Sequence, residues 1–367
     1  MNEIIKKFSI SDIRLKKWVA LDIIKFIAVV IMVFVHIHLV LVTDTYRFSN
    51  TTDFYYQITS NLMFVGLFVF LLPMTAGAIL RMNFGERLVH GKLKNYKINW
   101  IISMAVFIAL LGFLMNWLTW GVDYIFAWNV LQLVALSFIV ITLLLRLFSI
   151  RALFLASIFS IFMAEPLRNF LGGFDSSYLA GVFVGNNSHQ MFWPFFPWFG
   201  VVGLGFLIAH YYLKYKDSVR FRVSLIILGI FLIDIAIFRD EISPYLDPGF
   251  AWGSNLFQPK IGWILAVVGL FCFLVGFCNT FLNKIHLKKY GIINSYSKGI
   301  LWIYIVQMFV SCKIAVFFKD FFPLCFLSWS YFILLMCMLL LSWLVGALSI
   351  KFLQAKQLRI TLRKIKL

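Results

Sequence analysis

The apolar residues of this chain gather in windows of about 20, long enough to cross a ~30 Å hydrocarbon core as helices. That one feature decides the fold class. Ten windows read as spans: 18–42, 58–80, 98–118, 126–146, 152–171, 192–213, 219–238, 261–282, 299–318 and 324–350. With 62% hydrophobic and 13% charged residues and a mean hydropathy of +0.92, an ordinary soluble domain is excluded. The expectation is an all-α integral membrane protein, a bundle of about ten transmembrane helices with both termini cytoplasmic. It divides into a basic cytoplasmic leader (1–17), a single transmembrane domain (18–350) and a basic cytoplasmic tail (351–367). The first apolar run is too long for a signal-peptide core and is expected to stay as a span.

The net charge of +18 invites a nucleic-acid reading, and its placement removes it. With the N-terminus cytoplasmic, 26 of the 33 Lys and Arg residues fall in cytoplasmic segments and six on the opposite side, while nine of the fifteen acids lie outside. The positive-inside rule accounts for this split with no polyanion partner. The fifth window is interrupted by Glu165-Pro166; a re-entrant segment there would flip every later loop and break the charge rule, so a full crossing is expected. Five cysteines (Cys272, Cys278, Cys312, Cys325, Cys337) all lie in expected spans, and no pair has metal-ligand spacing. No metal site and no disulfide is suggested.

Within the first span, Leu21–His38 reads LDIIKFIAVVIMVFVHIH. At ~100° per residue Lys25 and His36 lie three turns apart and only ~20° off one line, with Met32 between them and Asp22 one turn below Lys25. An acid, a base and a titratable imidazole on one face of a membrane helix are each costly in lipid. Imidazole can act as a general base or as a nucleophile near pH 7. This makes His36 the candidate catalytic group, with a neutral histidine bonded between helices as the plainer reading. Lys25 could pair with Asp22 at i,i+3 or hold an anion.

Further along, Pro73 and Gly77 in LLPMTAGAILRM are expected to bend the second helix. Asn116, Asn129 and Gln132 are expected to cluster near the outer surface, and Gly200, Gly203 and Gly205 to permit close helix packing. His189 sits in an outer loop before FWPFFPW, and Asp234 is an acid inside the seventh span. Tyr304, Gln307 and Ser311 share one face of the ninth at i, i+3, i+7.

The stretch LDIIKFIAVVIMVFVH is similar to the first-helix signature of the transmembrane acyltransferase superfamily, in which an Asp is followed by an Arg three on and a His eleven further. GKLKNYKINWIISMAVFIALLGFLMNW, WNVLQLVALSF and FFPWFGVVGLGFLIA resemble its heparan-alpha-glucosaminide N-acetyltransferase-like branch. The first helix also resembles the acyltransferase-3 family, and GIINSYSKGILWIYIVQ a closing element of both. Lys25 stands where Arg is usual and Gln307 where many members carry a second His. The first outer loop has no His, so the resemblance does not extend to heparan specificity.

What the resemblance implies is an acyltransferase, O- or N-acetylating, that uses acetyl-CoA as donor and a glycan or glycolipid as acceptor at the outer side of the membrane. A bacterial inner (plasma) membrane is the expected location. His36 and Asp22 would be catalytic. Lys25, Arg81, Arg87, Lys94 and Lys97 would bind the acyl donor. Asn129, Gln132, His189, Asp234, Tyr304 and Gln307 would meet the acceptor or line the interior. A glycan or lipid transporter or flippase, or a non-catalytic family member, is the alternative.

Overall fold

The computed structural model describes residues 18–45, 67–85, 88–89, 92–93, 98–171, 177–185, 193–238, 259–282, 291–321 and 335–352. Within them run eleven α-helices: α1 (Val19–Thr45), α2 (Leu71–Phe84), α3 (Ile98–Trp120), α4 (Val130–Leu147), α5 (Ile150–Leu171), α6 (Tyr178–Val184), α7 (Phe195–Tyr215), α8 (Val219–Phe238), α9 (Ile261–Phe281), α10 (Gly291–Phe321) and α11 (Leu335–Phe352). Between α2 and α3 a hairpin pairs β1 (Leu88–Val89) with β2 (Lys92–Leu93), Leu88 opposite Leu93. Apart from it the described chain is helical, the spanning form that satisfies every backbone group within its own segment.

Eight helices are long and apolar enough to cross a membrane: α1, α3, α4, α5, α7, α8, α9 and α11. The other two expected spans run beyond the fully described residues. Of the second (58–80), residues 58–66 lie outside the described residues and α2 covers Leu71–Phe84; across the ninth (299–318), α10 runs as part of a 31-residue helix, with most side chains past Val310 outside the described residues. The leader and tail lie outside the described residues, apart from Lys351 and Phe352 at the end of α11. α5 runs unbroken through Pro166, so the fifth span crosses rather than turning back. Pro73 does not bend α2 from within. It falls in the first turn, where a missing N–H costs no intrahelical bond.

α7 and α9 form the centre of the bundle, with 67% of each span window buried, whereas α8 has 17% buried and α3 22%. The exposed surfaces of α3 and α8 are mostly apolar (Val106, Phe107, Leu110; Ile227, Ile230, Phe231), as lipid contact requires, with Asp234 an exposed acid on α8. Packed pairs run both antiparallel and parallel. α8 and α9 are antiparallel, with Gly229 against Gly269 and Phe273, and Gly276 against Arg222 and Ile226. α5 and α7 are antiparallel, with Gly200 on Ser157 and Ile161 and the Gly200 amide donating to Ser160 Oγ at 3.3 Å. α2 and α7 run parallel, since Met74 meets Gly205 and Arg81 meets His210. One end of the bundle carries Trp18, Arg81 and His210; at the other, Phe70 packs against Trp193, Trp198 and Trp263 with ring centroids 5.3 to 5.6 Å apart.

Local chemistry fixes the turns at that second end. Asn129 caps α4 in a capping box with Gln132. Ser177 caps α6, whose Tyr178 hydroxyl donates to the Phe126 carbonyl at 2.8 Å. Burial pushes the Tyr178 phenol above its ordinary pKa, so it remains a donor.

The α2–α7 seam depends on missing side chains. A Cβ on Gly77 would stand 2.9 Å from both the Phe206 nitrogen and the Val202 carbonyl carbon, backbone atoms that cannot rotate away. Gly77→Val should therefore force the helices apart at a cost of roughly 1–3 kcal/mol. The expected readout is a lower unfolding midpoint for the detergent-solubilised protein; an unchanged midpoint would show that the seam tolerates the extra bulk.

Candidate functional site

The polar stripe of α1 is covered by α10, which runs parallel to it. Lys25 Nζ lies 3.0 Å from Asp22 Oδ1, and the Ser297 hydroxyl of α10 donates to the same carboxylate. Lys25 is 7% exposed. Inside a membrane bundle two charges so placed need both each other and further hydrogen bonds, and Ser297 supplies one. Three turns further, His36 Nδ1 meets Gln307 Nε2 of α10. Between these contacts Met32 is fully buried with Val29, Tyr296 and Ile303, and Tyr304 packs against them. Two polar contacts separated by an apolar plug thus occupy one seam, their α1 residues ~16 Å apart along the helix.

At the His36 level the second ring nitrogen, Nε2, has no hydrogen-bond partner among the described residues. Gln307 is 1% exposed, and its Oε1 is buried with no partner among the described residues. α11 closes this level, where Val33 packs against Leu335 and Met338. The side chains of His38 and Ser311 lie outside the described residues.

A second cluster forms at the Trp18 end. Arg81, 6% exposed, donates from Nε to His210 Nδ1 at 3.1 Å and from Nη1 to the Gly85 carbonyl at 3.0 Å. Trp18 stacks on Tyr212 with centroids 4.1 Å apart, and its Nε1 donates to Asn279 Oδ1 at 3.3 Å. Arg81 is thus a buried cation held by neutral acceptors, and no described carboxylate lies within ion-pair distance of it.

The structure sorts the remaining candidates. Asn129 and Gln132 do cluster with Asn116, but their polar atoms serve the loop. Asn129 Nδ2 donates to Asn116 Oδ1 at 2.6 Å, Asn116 Nδ2 donates to the Ala127 carbonyl at 2.6 Å, and Asn129 Oδ1 accepts from the Leu131 amide at 2.8 Å. Gln132 keeps only its Nε2 unused, and that atom is buried. Asp234 is exposed on the outer face of α8 rather than turned inward. Arg87, Lys94, Lys97 and His189 lie outside the described residues. The described residues hold no group of three potential metal ligands.

Three partners escape sequence reasoning. Ser297 had a signal, because it stands seven residues before Tyr304 and so continues the Tyr304–Ser311 stripe. His210 lies 129 residues from Arg81 and Asn279 lies 261 from Trp18; nothing local links either pair. A family model described as "Heparan-alpha-glucosaminide N-acetyltransferase, catalytic" matches residues 17–237, a stretch that includes Asp22, Lys25, His36 and Arg81 and stops before α10. No curated protein and no solved structure matches the chain.

Proposed function

Since the chain belongs to the heparan-alpha-glucosaminide N-acetyltransferase catalytic family, we propose that it moves an acetyl group from acetyl-CoA to a hydroxyl or amine of a glycan or glycolipid acceptor. The observation that carries this is the α1–α10 seam, with a buried cation at one depth and an imidazole at another. The Trp18 end is read as cytoplasmic from the distribution of Lys and Arg, in a bacterial plasma membrane. Donor phosphates would meet Arg81, Lys25 and the basic loop holding Arg87, Lys94 and Lys97. The pantetheine arm would extend along the bundle toward His36, where Gln307 and Tyr304 border the acceptor. The first-helix likeness to the acyltransferase-3 family supports the same role for His36.

The chemistry asked of His36 is a proton transfer. With the Gln307 amide turned over, Oε1 accepts Nδ1–H and loses its buried, unpaired state, which otherwise costs ~1–3 kcal/mol. The ring lone pair then lies on Nε2. There it takes the proton of the acceptor O–H or N–H as that atom attacks the thioester carbonyl carbon. The C–S bond breaks, and the departing thiolate takes the proton from the imidazolium to leave CoA with a free thiol.

Free-thiol release tests this directly. Purified protein supplied with acetyl-CoA and a glycolipid extract is expected to release thiol and form an acetylated lipid. Movement of the lipid across a vesicle membrane with neither thiol nor acetyl product would replace the enzyme by a flippase.

A further inference from the structure

On the face of the bundle built from α5, α7 and α9, a cleft of about 450 Å³ opens at the end opposite Trp18. None of its lining residues belongs to α1 or α10, so it is separate from the seam that holds His36. Its volume lies within the usual ~300–1,000 Å³ range of small-molecule sites. The floor is apolar (Ile161, Pro197, Ile264), and the rim is formed by Phe162, Glu165 and Asn169.

The chemistry of the rim is one-sided. Glu165 and Asn169 are exposed, one turn apart on α5, and among the described residues neither has a hydrogen-bond or ion-pair partner. Between them stands Pro166, inside the helix. A proline has no N–H, so the Phe162 carbonyl, four residues earlier, loses its intrahelical donor. The rim therefore offers a carboxylate, a side-chain amide and a released backbone carbonyl, a set rich in acceptors. Among the described residues no basic side chain lines the cleft. A phosphate-bearing headgroup would be repelled by Glu165, whereas a group rich in hydroxyl donors would satisfy every acceptor.

The apolar floor sets the rest of the ligand. Phe159 and Phe162 beside it are exposed on the lipid-facing surface of α5, so a chain lying there leaves lipid only to enter more apolar surroundings. We propose that this cleft binds a membrane lipid with a neutral, polyhydroxylated headgroup, its hydroxyls on Glu165, Asn169 and the Phe162 carbonyl and its acyl chain along Ile161 and Ile264.

The test is native mass spectrometry of the full-length protein, released from detergent micelles containing equal amounts of monoglucosyl-diacylglycerol and phosphatidylglycerol of the same acyl chains. The wild type is expected to retain the glucolipid about tenfold better, roughly the discrimination of one well-placed charged hydrogen bond. Glu165→Ala should remove that preference. Pro166→Ala should weaken it as well, although it restores an N–H to the helix and should raise the unfolding midpoint, so a loss of binding there cannot be blamed on misfolding. Water-soluble methyl glucoside at the same concentration should not displace the lipid. Equal retention of the two lipids by the wild type, an unchanged preference in both variants, or displacement by methyl glucoside would each overturn the assignment.

Discussion

His36→Ala is expected to lower the rate of thiol release from acetyl-CoA by about 10²–10⁴-fold, the usual contribution of a positioned general base. Folding should be little disturbed, because the ring is only half-buried and α10 and α11 keep their apolar contacts with Val29, Met32 and Val33. The sharper comparison is His36→Asn. Asparagine is smaller and still offers a group to Gln307, but it has no pKa near neutrality and takes no proton. Equal loss in the two variants identifies the imidazole's basicity as the lost property. Activity retained in His36→Asn would instead make His36 a hydrogen-bonding strut. Gln307→Leu should give a smaller decrease, since it leaves the ring but removes the group that holds Nδ1.

Lys25→Met carries the second large effect, and it acts first on stability. Removing one partner of a buried ion pair typically costs 3–5 kcal/mol, because the remaining charge is left uncompensated. Here Asp22 keeps the Ser297 hydrogen bond, and its side chain is 17% exposed, so the lower end, about 3 kcal/mol, is expected. The double variant Asp22→Leu, Lys25→Met should recover most of that loss, since apolar residues of similar volume replace buried pairs at little cost. The two readouts separate structure from function. If Lys25 also meets the donor, the double variant regains its unfolding midpoint while its KM for acetyl-CoA stays raised; recovery of both assigns the pair to packing alone. Lys25→Arg should keep the pair, since the charge is retained and the guanidinium can bond Asp22 in two places.

Much of the architecture was legible because membrane helices announce themselves one at a time. Windows of apolar residues, the Lys and Arg distribution and the glycines of VVGLGF each act locally, and α7 uses Gly200, Gly203 and Gly205 as their spacing indicated. The i,i+3 placement of Asp22 and Lys25 likewise foretold their contact. What sequence could not give was which helices meet. The same residue types that suggested a polar interior at Asn129 and Gln132 turned out to satisfy a helix cap. A buried asparagine reads alike whether it serves a loop or a ligand. Asp234 shows the converse, since periodicity does not say which face of α8 is turned to α9, its main packing partner among the described residues.

The seam between α1 and α10 also bears on how the protein is made. Asp22 and its Ser297 partner are 275 residues apart, and His36 and Gln307 are 271 apart. At ~5–20 residues per second the ribosome needs roughly 14–55 s to cover that gap. For that interval α1 is a membrane helix whose stripe is only partly neutralised by the local Asp22–Lys25 pair, and His36 has no interhelical partner. Insertion of the first span must therefore tolerate an incomplete polar face, and docking of α10 is a late event that completes it. The order of synthesis keeps the imidazole without its amide until nearly the whole bundle stands around it.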